Sequence, residues 1–257
     1  MPRVRICMRT HLELLTLAIL SALIGFFTLT TARAGEFRDA QRTNARYREA
    51  EARQLESVRG EFVAAGAAWP PRGLYLRAYK REGVVELWGR AARGARFVPV
   101  RRFEICMASG VLGPKVREGD GQVPEGRYEI AAFNPNSRYH LALKVSYPDA
   151  ADRRRAAALG VPPGGDIMVH GNCVTIGCLP LRDGPMEALY VAAVHARDAG
   201  AGGIPIDIHP CRYTEPACRA ALLSHPAFAE HAAHWAALEA ADAVFGETGL
   251  PRGGPGL

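Results

Sequence analysis

The stretch from Asp166 to Pro180 reads Asp-Ile-Met-Val-His-Gly-Asn-Cys-Val-Thr-Ile-Gly-Cys-Leu-Pro and brings one imidazole close to two thiols. A nucleophilic thiol needs a base within hydrogen-bond reach, a group that orients the base, and backbone N–H groups aimed at a developing oxyanion. His170 can serve as the base for Cys178, and Gly171 offers a carbonyl that could hold the imidazole in one tautomer. Gly177, directly before Cys178, removes the side chain that would obstruct a carbonyl approaching the sulfur. The chemistry these residues support is cysteine acyl transfer. Two other readings of the same residues stay open. Cys173 and Cys178 could be a disulfide, or His170, Cys173 and Cys178 could be zinc ligands, although no fourth ligand lies close in sequence.

The chain has six cysteines, of which Cys7 lies in an apolar leader. Removing the leader leaves Cys106, Cys173, Cys178, Cys211 and Cys218, an odd set, and an odd cysteine in an oxidising compartment marks a candidate reactive thiol. Cys211 and Cys218 flank a Tyr-Thr-Glu-Pro turn and are the first expected pair; pairing Cys106 with Cys173 would leave Cys178 free.

The elements that must position these groups are legible as short strands. Ile167 to Val169 is an apolar run that delivers His170 to a strand end, where Gly171 and Asn172 turn the chain. Upstream, Leu74–Lys80 and Val84–Trp88 alternate apolar and polar residues about a Glu-Gly turn and predict a hairpin. Phe97–Cys106, Arg127–Phe133 and Tyr139–Ser146 predict further strands, the last two joined by Asn134-Pro-Asn-Ser137. The long loop from Gly113 to Gly126 could line a substrate groove. Ala150–Leu159 predicts a short helix, with Arg153 to Arg155 on a solvated face. Pro185–Ala199 predicts a helix beneath the site, Ile204–Ile208 a strand ending at the spare imidazole of His209, and 214–245 closing helices. His225, His231 and His234 read as solvated helix residues. The tail from Gly246, rich in Gly and Pro, is expected to fray. Short strands punctuated by Gly and Pro imply a β-rich mixed α+β fold, a sandwich or closed sheet with flanking helices and a helical C-terminal segment.

The pattern His-Gly followed by Thr-x-Gly-Cys resembles the L,D-transpeptidase (YkuD-type) catalytic domain, in its YafK-like murein transpeptidase branch. The resemblance runs from about Leu74 to about His209. It includes Cys106-Met-Ala-Ser-Gly110, Leu112-Gly-Pro-Lys115, Arg117 to Gly126, and Phe133-Asn-Pro-Asn-Ser137. By that resemblance Cys178 is the nucleophile toward a peptidoglycan stem carbonyl, His170 its base, and Gly171 the orienting carbonyl. Thr175 stands where the family has Ser or Thr, and Gly177 and Cys178 supply oxyanion N–H groups. Asn134, Ser137, Arg138 and His140 become candidate substrate contacts. The reading involves no metal and no cofactor. Ile176 replaces the histidine that often precedes Gly-Cys, Pro180 replaces an arginine that often follows, and the gap from His170 to Cys178 is short. The YafK-like branch resembles this chain in the first and third features. The branch is linked both with transfer and with hydrolytic release of a peptidoglycan-bound lipoprotein, so the acceptor, an amine or water, stays open. The alternative of another class is a non-catalytic wall-binding module.

Length and composition bound the rest. The 257 residues, 48% apolar, suffice for one large core. Net charge is +6, driven by arginine, and suits an anionic polymer; no nucleic-acid module is recognisable. Residues 1–34 read as a signal peptide, with Arg3, Arg5 and Arg9 before the apolar run Leu14–Thr30 and small residues at Ala32-Arg-Ala34. An uncleaved membrane anchor is the alternative, and either places the rest in the periplasm or outside the cell. Residues 35–72 read as a charged helical spacer, 73–212 as the catalytic domain, and 213–257 as C-terminal helices and a flexible tail.

Overall fold

Why the chain curls around its thiol is visible in the order of its strands. The structure, a computed structural model, describes residues 35–251; the expected leader and the end of the tail lie outside the described residues. These residues form α1 (Glu36–Arg42), α2 (Ala45–Ala64), β1 (Leu74–Tyr79), β2 (Val84–Arg90), β3 (Phe97–Glu104), β4 (Gly126–Asn134) and β5 (Ala142–Val145). There follow α3 (Ala150–Ala158), β6 (Met168–His170), β7 (Leu179–Pro180), α4 (Asp183–Asp198), β8 (Pro205–His209), α5 (Pro216–Leu223) and α6 (Phe228–Thr248).

The strands join in the order β3-β2-β1-β8-β4-β5-β6-β7. The β1–β2 hairpin closes at Gly83, whose φ of +63° the Glu-Gly turn supplies without steric cost. β8 then returns parallel to β1. β4 carries the sheet around: Gly126–Glu129 pairs with β8, Ile130–Asn134 with β5, and the register shifts between Ile130 and Ala132. Such a bulge bends a strand and increases its twist, so one half of the sheet passes into the other through a single strand. The fold is mixed α+β, as the strand and helix pattern implies.

Both faces of β1 are covered, which is why all its residues are buried. Leu74, Leu76 and Ala78 enter the main core with Val85, Leu87, Ile206, Ile208 and the apolar residues of α4. Tyr75, Arg77 and Tyr79 face α6, where Tyr75 packs against Phe97 and Phe245 and Arg77 pairs with Asp242.

The charged stretch 35–72 is no spacer. Tyr47, Ala50, Val58 and Phe62 of α2 are buried in the main core, and the Tyr47 and Tyr190 rings lie 5.7 Å apart. Its charges misled because two of them pair with other helices: buried Glu51 meets Arg42 and His195 of α4, and exposed Arg53 meets the buried Glu187 of α4. Asn44 caps α2 by accepting from the Tyr47 N–H. The C-terminal helices likewise close on the sheet, around Cys211, Cys218, Leu222 and Trp235, with Trp235 Nε1 donating to Glu125. Residues 35–251 belong to one compact unit. Gly246 to Thr248 do not fray but complete α6, which stops at Gly249 in the left-handed conformation.

Candidate active site

β6 and β7, at the sheet's edge, set the geometry. They run parallel with Val169 opposite Leu179 and His170 opposite Pro180. Extending that register one residue back sets Cys178 opposite Met168. Cys178 and His170 therefore share a face of the sheet as diagonal neighbours, a spacing of roughly 7–8 Å that side chains can bridge.

The turn between them is held by its own backbone. Gly171 N–H donates to Leu141 O and Asn172 N–H to the Asp183 carboxylate. Any side chain at Gly171 would collide with that carboxylate and with His140, since a Cβ would lie 2.7 Å from Asp183 Oδ1 and 2.8 Å from His140 Cβ. Gly177 is required twice over: its φ is +136°, and a Cβ would lie 2.9 Å from Gln122 O. The His170 ring is buried, with Nδ1 2.5 Å from Gly171 O. A carbonyl only accepts, so Nδ1 carries the proton and Nε2 keeps its lone pair. The Tyr139 ring stacks against it with centroids 4.9 Å apart.

Burial sets the protonation states. It pushes the His170 pKa below 6.5 against the opposing pull of the Gly171 carbonyl. It pushes the Cys178 thiol above 9.0, with Asp166 adding to the rise while the Met168 backbone and Lys115 oppose it. At neutral pH both groups are uncharged. Cys178 Sγ donates to Asp166 O at 3.6 Å. Thr175 Oγ1 accepts from the N–H groups of Gly177 at 3.1 Å and Cys178 at 2.8 Å, and donates to Cys178 O. The two N–H groups expected to await an oxyanion are thus already engaged, because Thr175 needs them to close its own turn.

Both expected disulfides are formed, Cys106–Cys173 and Cys211–Cys218, and Cys178 is the free thiol among the described residues. The first pairing removes Cys173 as a partner for Cys178 and as a thiolate ligand for zinc. It also ties the 106–112 loop to the 172–177 turn. That loop flanks a cleft of about 240 Å³ whose wall includes Cys178, Met107, Val111, Val123 and Lys80. Ser109 Oγ, on the same wall, is buried without a hydrogen-bond partner. The 113–126 loop does reach the site, through Gln122 and Val123, and is folded by a buried Lys115–Asp120 pair.

Three of the four expected substrate contacts, Asn134, Ser137 and His140, make hydrogen bonds within the protein. Asn134 accepts from Asn136 N–H and Ser137 from Tyr139 N–H. His140 is not in a strand but in a left-handed turn (φ +68°), its Nε2 2.9 Å from Glu187 of α4. Arg138 is exposed. The residue of this loop that touches the His170 imidazole is Tyr139. Sequence reasoning passed over it, and over Asp183; the aromatic beside the chosen His140 was the available signal.

A lone thiol and a tautomer-fixed imidazole on one face of a curled α+β sheet define a candidate cysteine acyl-transfer centre. No family model matches the chain. Over 144 residues it is 31% identical to the "Putative L,D-transpeptidase YafK" of Escherichia coli (strain K12), covering 55% of this chain and 56% of that protein. The chain thus spans about half the length of the curated relatives it matches. Among solved structures it is similar to the helical cell shape determining protein Pgp2 from Campylobacter jejuni, at 20% identity and a TM-score of 0.42 over 55% of this chain and 48% of that one. It is also similar to Mycobacterium tuberculosis L,D-transpeptidase 1, at 17% identity and a TM-score of 0.30 over 53% and 61% of the two chains.

Proposed function

We propose that this protein is a cysteine-dependent L,D-transpeptidase acting on peptidoglycan stem peptides in the periplasm, with residues 1–34 as its export signal or anchor. The observation that carries the proposal is the free thiol of Cys178, on a cleft wall and on the sheet face of His170, whose Nε2 lone pair is unencumbered. Similarity to a relative described as an L,D-transpeptidase supports the substrate class.

The thiolate is the attacking species, and both groups rest neutral, so deprotonation accompanies attack. Rotation about the Cys178 side chain exchanges the Asp166 carbonyl for His170. Nε2 takes the thiol proton as sulfur bonds to the stem carbonyl carbon. Collapse breaks the C–N bond, and the departing amine takes the proton from His170. The remaining thioester passes its acyl group to an acceptor, whose proton returns through His170. An amine acceptor gives cross-linking or attachment of protein to the wall. Water gives hydrolysis, including release of a peptidoglycan-linked lipoprotein. In either case the incoming oxyanion competes with Thr175 Oγ1 for the N–H groups of Gly177 and Cys178.

Mass spectrometry of the protein after incubation with a tetrapeptide stem, with and without an amine acceptor, tests this reading. The expected result is an acyl adduct on Cys178, cleared into an amide product by the amine or into free acid by water, and no adduct in Cys178→Ala. An adduct on no cysteine, with free stems and with lipoprotein-linked wall fragments alike, would return the protein to the class of wall-binding modules.

A further inference from the structure

A second, larger cavity, of about 460 Å³, lies away from the thiol, lined by Arg72, Arg90, Arg93, the 199–203 loop and Leu250. Arg90 ends β2, opposite Phe97, while the other end of that strand, Val84, pairs with Glu104 beside the Cys106 loop. Six residues of strand rise separate the two ends, on the order of 20 Å.

Arg90 is the unusual member. It is 8% exposed, yet among the described residues its Nε donates only to Arg72 O, and it makes no ion pair. Among the described residues neither Arg72 nor Arg93 is paired with an acid there, and burial together with Arg93 lowers the Arg90 pKa. A guanidinium keeps its charge at any working pH, and a buried charge is costly unless an opposite charge meets it. Cations on or beside this sheet elsewhere do meet an acid: Arg77 has Asp242, Lys80 has Glu125 and Arg212 has Glu86.

The slot is also shaped for the group. A Cβ on Gly73 would lie 2.2 Å from Arg90 Nε and 2.8 Å from its Cζ, so glycine is what lets the guanidinium lie flat there. The Phe97 ring supports it from the other side, 5.0 Å from Cζ. Near the rim, Glu129 lies close to Gly203 and Asp198 directly precedes Ala199; among the described residues neither pairs with any of the three arginines.

We propose that this cavity is a binding site for an oxyanion group, carboxylate or phosphate, with Arg90 as its buried anchor and Arg72 and Arg93 closing over it. A planar guanidinium takes either group through paired hydrogen bonds. The cavity is larger than a bare ion needs and falls in the range of small-molecule sites, so the group would arrive on a larger ligand. The inference is independent of the chemistry at Cys178.

Isothermal titration of the full chain with inorganic pyrophosphate and with tricarballylate, each in 150 mM salt, tests it. One saturable site is expected for at least one of the two, weakened about ten-fold or more in Arg93→Ala and in Arg90→Gln, and unchanged in Arg154→Ala, which removes the same charge from an exposed position elsewhere. Preference for pyrophosphate would indicate a phosphorylated ligand, and preference for tricarballylate a carboxylate such as those of peptide stems. Should Arg90→Gln fail to fold, the exposed Arg93→Ala carries the result. Absence of saturable binding for both anions, equal weakening in Arg154→Ala, or undiminished affinity in Arg93→Ala would overturn the proposal.

Discussion

Two histidines end strands of the same sheet, both buried, and only one is equipped to move a proton. His170 closes β6 with Nδ1 anchored on a carbonyl and Nε2 left to the face that Cys178 shares. His209 closes β8, stacked on Tyr79 at 5.3 Å, with neither ring nitrogen hydrogen-bonded and Asp242 no nearer than 3.7 Å. Burial and the charges of Arg77, Arg127 and Arg212 push its pKa down to about 3. Asp242 does not relieve this, because it is occupied by Arg77 and Tyr79. Burial alone therefore makes an inert imidazole; an oriented tautomer beside a thiol makes a candidate base.

The largest expected effect breaks the comparison if it fails. His170→Gln should lower acyl-adduct formation by roughly 10²–10⁴-fold, the usual contribution of a general base, whereas His209→Gln should leave the rate near that of the parent. Stopped-flow or mass-spectrometric adduct kinetics measure both. Comparable losses in the two variants would remove His170 from its special role.

Next in size is the disulfide that holds the cleft. Cys173→Ala opens a loop of 67 residues, which in the chain-entropy picture costs roughly 4 kcal/mol of stability. Urea unfolding should register that loss while adduct formation on Cys178 persists at 25 °C. Loss of the adduct in a folded Cys173→Ala protein would mean that Cys173, and not only Cys178, takes part in the chemistry.

The two imidazoles also differ in their response to acid. A histidine whose pKa is lowered on folding stabilises the protein fully above pH 6.5, and that contribution is lost as pH falls toward the folded value, because the unfolded chain binds the proton first. For His209, with a folded value of about 3, the loss between pH 7 and pH 5 is about 2 kcal/mol. His209→Gln should therefore flatten the fall in urea midpoint from pH 7 to 5. His170→Gln should flatten it less, since the Gly171 carbonyl favours the protonated ring. Equal slopes in parent and His209→Gln would show that His209 is not held neutral.

Most of the sheet and the chemistry-bearing stretch were legible because local pattern decides them. Alternation over 74–90 gave the hairpin, and an odd cysteine count with two plausible pairs gave the free thiol. What escaped depends on tertiary partners. Residues 35–72 read as a charged spacer because residues such as Glu51 and Arg53 carry charge, and their partners, His195 and Glu187, lie far along the chain. His140 fitted an alternating strand, but its left-handed turn is imposed by packing against Gly171 and Glu187. Thr175 was placed by its motif position alone and the N–H groups of Gly177 and Cys178 were expected to serve an oxyanion; only the folded turn reveals that the Thr175 hydroxyl takes both.

The smallest expected effect sharpens the role of Tyr139. The residue is 42% exposed, yet its ring lies against His170 at an interplanar angle of 34°. An aromatic pair of this kind contributes about 0.5–1.5 kcal/mol, and partial exposure favours the lower end. If the ring steadies the imidazole, Tyr139→Leu should lower kcat a few-fold with KM unchanged, and Tyr139→Phe, which keeps the ring and loses the hydroxyl, should restore it. A rise in KM with kcat intact would make Tyr139 a substrate contact. The 134–140 loop would then touch the stem through its aromatic residue, while its polar side chains serve the scaffold.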